Sequence, residues 1–177
     1  RAAFTLLVVA IVSFGVVALV HERTLEDIAA AARDRQRAQF AAVLGGTQFD
    51  NDPLQDVVEL RDAELLGTAS PVHVHRARLQ GRPVAVIMAV VAPDGYSGPI
   101  ELLVGIGPDG RLLGVRVTRH KETPGLGDFI EVRKSDWIER FAGRSLQSPT
   151  ADRWQVRRDG GDFDQFTGAT VTPRAVV

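Results

Sequence analysis

Cysteine is absent from the chain, which excludes disulfides, thiolate zinc sites and Cys-ligated iron–sulfur clusters built from these residues. A dominant charge is lacking as well. The 21 basic and 22 acidic side chains leave a formal net charge of −1. Nothing therefore supplies the basic surface that displaces counterions from nucleic acid, and no nucleic-acid partner is expected. Familiar catalytic devices are missing too: there is no P-loop, no GxGxxG fingerprint, no GxSxG elbow and no His-Glu-x-x-His zinc motif. No catalytic residue is named on this basis. His73 and His75 lie two apart on a strand-like run and could share a face around a metal, but no carboxylate or third His follows at matching spacing. A solvated or hydrogen-bonded pair is the expectation, and no metal ligand is assigned. Neither an internal repeat nor a low-complexity tract interrupts the 177 residues, a length that fits one domain of ordinary size plus something extra.

The extra part stands at the start. Residues 2–20 read "AAFTLLVVAIVSFGVVALV", 19 positions without a charge. A helix of that length extends about 28 Å, close to the ~30 Å hydrocarbon core of a bilayer. A signal peptide is the competing reading, but its apolar region usually spans ~7–15 residues and ends at a small-residue cleavage site. This run is longer and continues without a clear site, so residues 2–20 are assigned as a retained transmembrane anchor in contact with membrane lipid, with His21 at the membrane edge. Orientation is not decided by charge: only Arg1 precedes the run, while Arg23, Arg33, Arg35 and Arg37 follow among four acids. Residues 21–46 form a stalk. Leu25, Ile28, Ala29, Ala32, Phe40, Val43 and Leu44 recur near helical spacing, and Gly45 and Gly46 supply a stop. Such a helix either packs on a soluble domain or contacts a neighbouring protein chain.

Residues 47–177 are assigned to the soluble domain. "NDPLQDVVEL" (51–60) and "AELLG" (63–67) are expected to be short helical or irregular pieces. Strand-like runs follow: "VHVHRARL", a turn at "QGR", "PVAVIMAVVA", then "PIELLVGI", a turn at "GPDG", and "RLLGVRVTRH". Val, Ile and Leu enrichment between Gly-containing turns predicts antiparallel hairpins. "KSDWIERFAG" (134–143) predicts a short helix with Ser135 as N-cap and Gly143 just past its end. "RWQVRR" (153–158) predicts another strand. The fold class is α+β, a twisted antiparallel sheet with helices packed on it.

Three Gly-rich patches carry the chemical interest. "APDGYSGPI" sets Tyr96 between two glycines. "RHKETPGLGD" contains Pro124 and Gly125, a natural type II turn, with Gly127 two residues on. "DQFTGAT" sets Gly168 between Thr167 and Thr170. Each alone is most simply a tight turn needing a residue that tolerates φ > 0. Together, three small-residue loops and an aromatic let a flat, phosphate-bearing cofactor approach the backbone. A helix is expected after "TGAT", with Thr172 as N-cap and Pro173 as first helical residue, offering free N–H groups to an anion beside Thr170. From residues alone this stops at a phosphate or carboxylate site.

"DQFTGAT" resembles the Asp-x-x-(Ser/Thr)-Gly-Ala-Thr signal of proteins that carry FMN covalently, through a phosphoester to the final Thr, installed by a flavin transferase from FAD with magnesium. With "HKETPGLGD" and "APDGYSGPIELLVGI" in the same order, the chain resembles the G subunit of the Rnf (or Rsx) ion-translocating electron-transport complex from about residue 2 to its end. The nearest alternative is the C subunit of the sodium-translocating NADH:quinone oxidoreductase, which shares the FMN domain and tends to be longer. Thr167 stands where Ser is commoner, and the hydroxyl is retained. The family would continue past Val177 with a C-terminal helix, so an incomplete C-terminus is expected.

The resemblance implies that Thr170 carries the FMN. It implies that Asp164, Thr167, Gly168 and Ala169 belong to the segment around it, with Asp164 and Gly168 read by the transferase. Glu122, Thr123, Pro124, Gly125, Leu126 and Gly127, with Tyr96 nearby, are implied to line the flavin, and Lys121 is a candidate for steadying its reduced anionic form. It further implies a single-pass protein of the bacterial inner membrane with its soluble domain facing the periplasm or exterior. The implied partners are other Rnf subunits, including the membrane-embedded D subunit and the iron–sulfur subunits. The chain would be a redox relay, not a complete enzyme alone, in a complex coupling ferredoxin and NAD chemistry to Na⁺ or H⁺ transport. A membrane-anchored binding or bracing module without a redox role is the rival class.

Overall fold

The computed structural model describes residues 1–62, 68 and 70–177, in two units, Arg1–Ala38 and Gln39–Val177. The "AELLG" expectation lies outside the described residues. The first unit is helical and belongs to α1, which runs from Ala2 to Val43. Anchor and stalk, separated in the sequence reading, are thus one 42-residue helix. An 18-residue window of it has a mean hydropathy of 2.8 and is not buried at all. Phe4, Leu6, Ile11, Phe14 and Val17 are all more than half exposed. By length and composition the helix can cross a membrane. It ends as expected at two glycines with positive φ, Gly45 at 58° and Gly46 at 81°.

The second unit is built on a five-stranded sheet: β1 (Val57–Leu60), β2 (Val72–Leu79), β3 (Arg82–Ala92), β4 (Ile100–Ile106) and β5 (Leu112–Arg119). All neighbours are antiparallel, in chain order. The β2–β3 turn places Gln80 at φ 51° and Gly81 at φ 77°. Positive φ at both central residues marks a type I′ turn, whose twist matches that of the flanking strands. β1 corrects the expectation of short helical or irregular structure for 57–60, whereas 51–56 is irregular. Its four residues show no alternating burial, so period-2 patterning could not reveal it. It is held by its ladder to β2 and by Asp56, which accepts from the Arg76 Nε at 2.6 Å and the Arg78 Nε at 2.5 Å. The Arg78 hydrogen bond leads in holding the Asp56 carboxyl below its ordinary value. His75 turns its Nδ1 to the Pro53 carbonyl at 2.9 Å, and His73 faces Glu59 at 3.8 Å.

Alternation along the central strands gives the sheet two apolar faces. One face packs Ala77, Ala85, Ile87 and Leu103 against Phe40, Val43 and Leu44 at the end of α1. The other packs Ile100, Leu102, Val104 and Val115 against Ile130, Trp137, Ile138, Phe141 and Phe163. That second layer is made of tight 3₁₀ turns: Gly127–Ile130, Trp137–Phe141, Ala151–Arg153 and Arg157–Asp159. Two expectations are corrected here. The 134–143 element is 3₁₀ rather than α-helical, with Asp136 at its N-cap and Gly143 at φ 79° beyond its end. Ser135 instead accepts the Trp137 N–H at 3.2 Å and donates to the Phe129 carbonyl. Residues 153–158 are not a strand: only Val156 bridges, to Phe163, between two 3₁₀ turns. Trp154 packs tilted at 5.0 Å from Phe163 there, and the Phe163 N–H donates to the Gln155 carbonyl (3.2 Å) while its carbonyl accepts the Arg157 N–H (2.7 Å), so one bridge and aromatic packing shape the segment. Helix α2 (Val171–Val176) closes the described chain.

Candidate functional site

The three Gly-rich loops, far apart in sequence, converge on one concavity of about 310 Å³. Tyr96 comes from the β3–β4 loop. Glu122, Thr123, Leu126 and Gly127 come from the segment after β5. Gly168, Ala169, Thr170, Val171 and Thr172 come from the last loop and the start of α2. Local sequence explains each approach. The Thr123 carbonyl accepts the N–H of Leu126 at 3.1 Å and of Gly127 at 3.0 Å, closing a turn over Pro124 and Gly125. Gly125 has φ 77°, the positive value that the third position of a type II turn requires. Asp128, 4% exposed, stabilises it by accepting the Gly125 N–H at 2.8 Å, and Lys134 balances that carboxylate at 3.2 Å. A second turn spans residues 166–169: Ala169 donates to the Phe166 carbonyl at 3.2 Å, and Gly168 has φ 81°. Thr167 sits at the exposed corner of this turn, and Thr170 follows it into the concavity.

Glu122 joins the loops. Only 4% exposed, it accepts the Ser97 N–H at 2.9 Å, the Tyr96 N–H at 3.3 Å and the hydroxyl of Thr172. Its own N–H donates to His120 Nδ1 at 3.0 Å. That bond makes Nδ1 the acceptor, so Nε2 carries the proton towards Glu131, 2.8 Å away. The Arg133 guanidinium beside Glu131 leads in holding its carboxyl below the ordinary value of 4.5, with the His120 bond adding and burial opposing.

Not every expected residue faces the concavity. Pro124 and Gly125 shape the turn without lining it, and the exposed Lys121 does not line it either. Asp164 lies outside as well, where its carboxylate pairs with Arg140 and with Arg157 (3.0 Å) and its carbonyl accepts the Trp137 indole N–H at 2.7 Å. Beneath the loop, Trp137 packs edge-on at 5.2 Å from Phe166. The expected helix start shifts. α2 begins at Val171 with Thr170 at its N-cap position and no side-chain cap, whereas Thr172 is 1% exposed and inside the helix. Thr172 was expected as a cap rather than as a buried partner of Glu122, and the parts played by Val171, Ser97, Asp128 and His120 were not anticipated. A hydroxyl two residues beyond Thr170 was visible, but its carboxylate partner is 50 positions away.

Residues 95–177 match the model of the FMN-binding domain family. Over all 177 residues the chain is 51% identical to the G subunit of the ion-translocating oxidoreductase complex of Pseudomonas aeruginosa, covering 100% of this chain and 83% of that protein. The G subunit of the Photorhabdus laumondii complex is 46% identical over 177 residues, covering 100% and 84%. That of Vibrio cholerae is 46% identical over 175 residues, covering 97% and 82%. The chain belongs to the G-subunit family of ion-translocating oxidoreductase complexes. The apolar helix is part of the matched region.

An FMN-binding domain must offer a flat ring an apolar surface and its phosphate a place to sit. Leu126, Val171 and Tyr96 are 44%, 42% and 70% exposed and present apolar surface where a flat ring could lie. Small Gly127, Gly168 and Ala169 permit close approach, and Thr170 presents a hydroxyl. Among the described residues that line it there is no Lys or Arg, and the carboxylate of Glu122 is already met by three donors. The lining fits the flat aromatic part of FMN and offers the hydroxyl of Thr170.

Proposed function

We propose that this chain is the FMN-bearing electron-transfer subunit of an ion-translocating oxidoreductase complex, with the flavin joined to Thr170 through a phosphoester. The convergence of three separate loops on a concavity containing Thr170 but no cation carries this reading. Without a cation to hold its phosphate, FMN would bind weakly, and a covalent bond makes that affinity unnecessary. Attachment from FAD balances as follows. The Thr170 Oγ bonds to the phosphorus nearest riboflavin, the pyrophosphate bridge breaks, AMP leaves and the hydroxyl proton passes to solvent.

When bound, FMN supplies one- and two-electron chemistry. The chain's own residues position it. Gly168 turns the backbone so that Thr170 enters the concavity while Thr167 stays outside. The Asp164 pairs fix the start of that segment, so in this reading its contribution to transferase recognition is to present the loop. Leu126, Val171 and Tyr96 would hold the ring and shield it from water.

The α1 apolar segment anchors the protein in the bacterial inner membrane, with residues 47–177 in the periplasm or exterior. Its partners are the other Rnf subunits, including the D subunit and the iron–sulfur subunits, and a flavin transferase during maturation. The chain is a relay between them rather than a complete enzyme.

Intact-mass analysis of the chain produced with a flavin transferase tests the attachment. One FMN-phosphoryl adduct on Thr170, with yellow colour and ultraviolet fluorescence surviving denaturation, is expected. An adduct on Thr167, or none, overturns the site. Absence of any flavin from an assembled complex would favour the bracing-module reading.

A further inference from the structure

We propose that Glu122 is a positioning residue for flavin attachment: its buried carboxylate ties the Thr172 hydroxyl, two residues past Thr170, to the backbone of residues 96 and 97. The inference rests on the attachment reading above and goes beyond lining the cavity. Thr172 is 1% exposed and Glu122 4%, so neither polar group has water to turn to. A buried hydroxyl and carboxylate that lose each other keep their desolvation penalty. Oε1 of Glu122 accepts from Ser97, while Oε2 accepts from both Tyr96 and Thr172. All three Gly-rich loops are thereby held by one side chain.

Close approach is built in. A Cβ added to Gly127 would lie 2.8 Å from the Thr172 Oγ1 and 2.9 Å from the Glu122 Cβ, so the tie passes where only glycine leaves room. Behind it, the bond from the Glu122 N–H to His120 braces the backbone that carries the carboxylate. Thr170 accepts the Arg174 N–H at its carbonyl (3.2 Å), as the first turn of α2 begins. Fixing Thr172 therefore fixes the turn on which the acceptor hydroxyl stands, and fixed orientation of a nucleophile is worth rate.

The test uses the full chain with purified flavin transferase, FAD and magnesium, following adduct mass against time. Thr172→Val removes the donor, and its loading kcat is expected to fall about tenfold, at a KM for FAD within about twofold of wild type. Thr172→Ser restores the hydroxyl and should recover the wild-type rate within about twofold. Glu122→Gln replaces one acceptor oxygen with an amide donor that faces other donors, and should slow loading similarly. In the unloaded Glu122→Gln chain, amide exchange at residues 96 and 97 should quicken by about tenfold or more, a readout independent of flavin. Wild-type loading in both Thr172→Val and Glu122→Gln, or unchanged protection at residues 96 and 97, would overturn the proposal. Full loading of Thr170→Ala would instead remove the attachment site and the positioning role together, while the amide exchange would still report whether the tie exists.

Discussion

Single atoms decide how this site is assembled, and the glycines show it most directly. Gly125 needs glycine for its dihedral, at φ 77°, although a Cβ there would meet nothing within 4 Å. Gly127 needs it for space instead. Gly127→Ala is expected to destabilise the domain by about 1–3 kcal/mol, the usual cost of overpacking a filled site, and to slow loading as well. Denaturant unfolding checks the first effect and adduct mass the second. Thr170→Ala should abolish the adduct at unchanged stability, because its hydroxyl has no hydrogen-bond partner among the described residues. Thr167→Ala, at an exposed corner, should retain loading. The Glu131 carboxyl gives a pH signature. Its folded value lies below 4.5, with Arg133 as the largest cause, so its pairing contributes stability above that value and loses it as pH falls through the folded value. Thermal melts should therefore show an acid limb below about pH 4.5 that is shallower in Glu131→Gln.

Elements were legible in proportion to how locally they are determined. β2, β3, β4 and β5 were readable because Val, Ile and Leu enrichment and turn glycines are local signals within each hairpin. β1 and the 153–158 segment were not, since a four-residue edge strand lacks a period and the 153–158 segment makes one bridge, Val156 to Phe163, between two 3₁₀ turns. The site followed the same rule. The turns at Gly125 and Gly168 were visible as dipeptide and motif signals, whereas the Glu122–Thr172 bond depends on tertiary contact. A second long-range feature hid in the sheet. Gly105 and Gly114 pair across β4 and β5, and the end of α1 rests on them. A Cβ on Gly105 would lie 2.1 Å from the Val43 carbonyl oxygen, and one on Gly114 3.0 Å from the Val43 Cα. Glycine in a strand interior weakens it, yet here the two glycines seat a helix end. Gly105→Ala must displace backbone and should destabilise the domain by about 3 kcal/mol or more, whereas Gly110→Ala, at a turn with open space, should cost about 1 kcal/mol for its φ of 76° alone. Comparable losses in the two variants would mean that α1 does not rest on the sheet this way.

For the whole molecule, one helix belongs to two environments. Its first stretch is apolar and entirely exposed, a state that water penalises and a bilayer favours, at about 25 cal/mol per Å² of apolar surface. Its last residues are core: Phe40, Val43 and Leu44 are 4%, 0% and 1% exposed against the sheet. Two truncations should therefore behave differently, though both remove the membrane segment. Deleting residues 1–20 leaves those three side chains in place and should turn a protein that pellets with membranes into a soluble one that folds cooperatively and still accepts FMN. Deleting residues 1–46 strips one apolar face of the sheet. At about 2–4 kcal/mol for each lost side chain, the removal amounts to roughly 6–12 kcal/mol. Domains of this size hold only about 5–15 kcal/mol in total. The longer deletion should accordingly lose its cooperative thermal transition and bind a hydrophobic dye, and it should load no flavin, because the acceptor loop packs on the same sheet. If it instead melted cooperatively at the temperature of the shorter deletion, the end of α1 would be dispensable to the fold and the second unit would have to begin after Gly46.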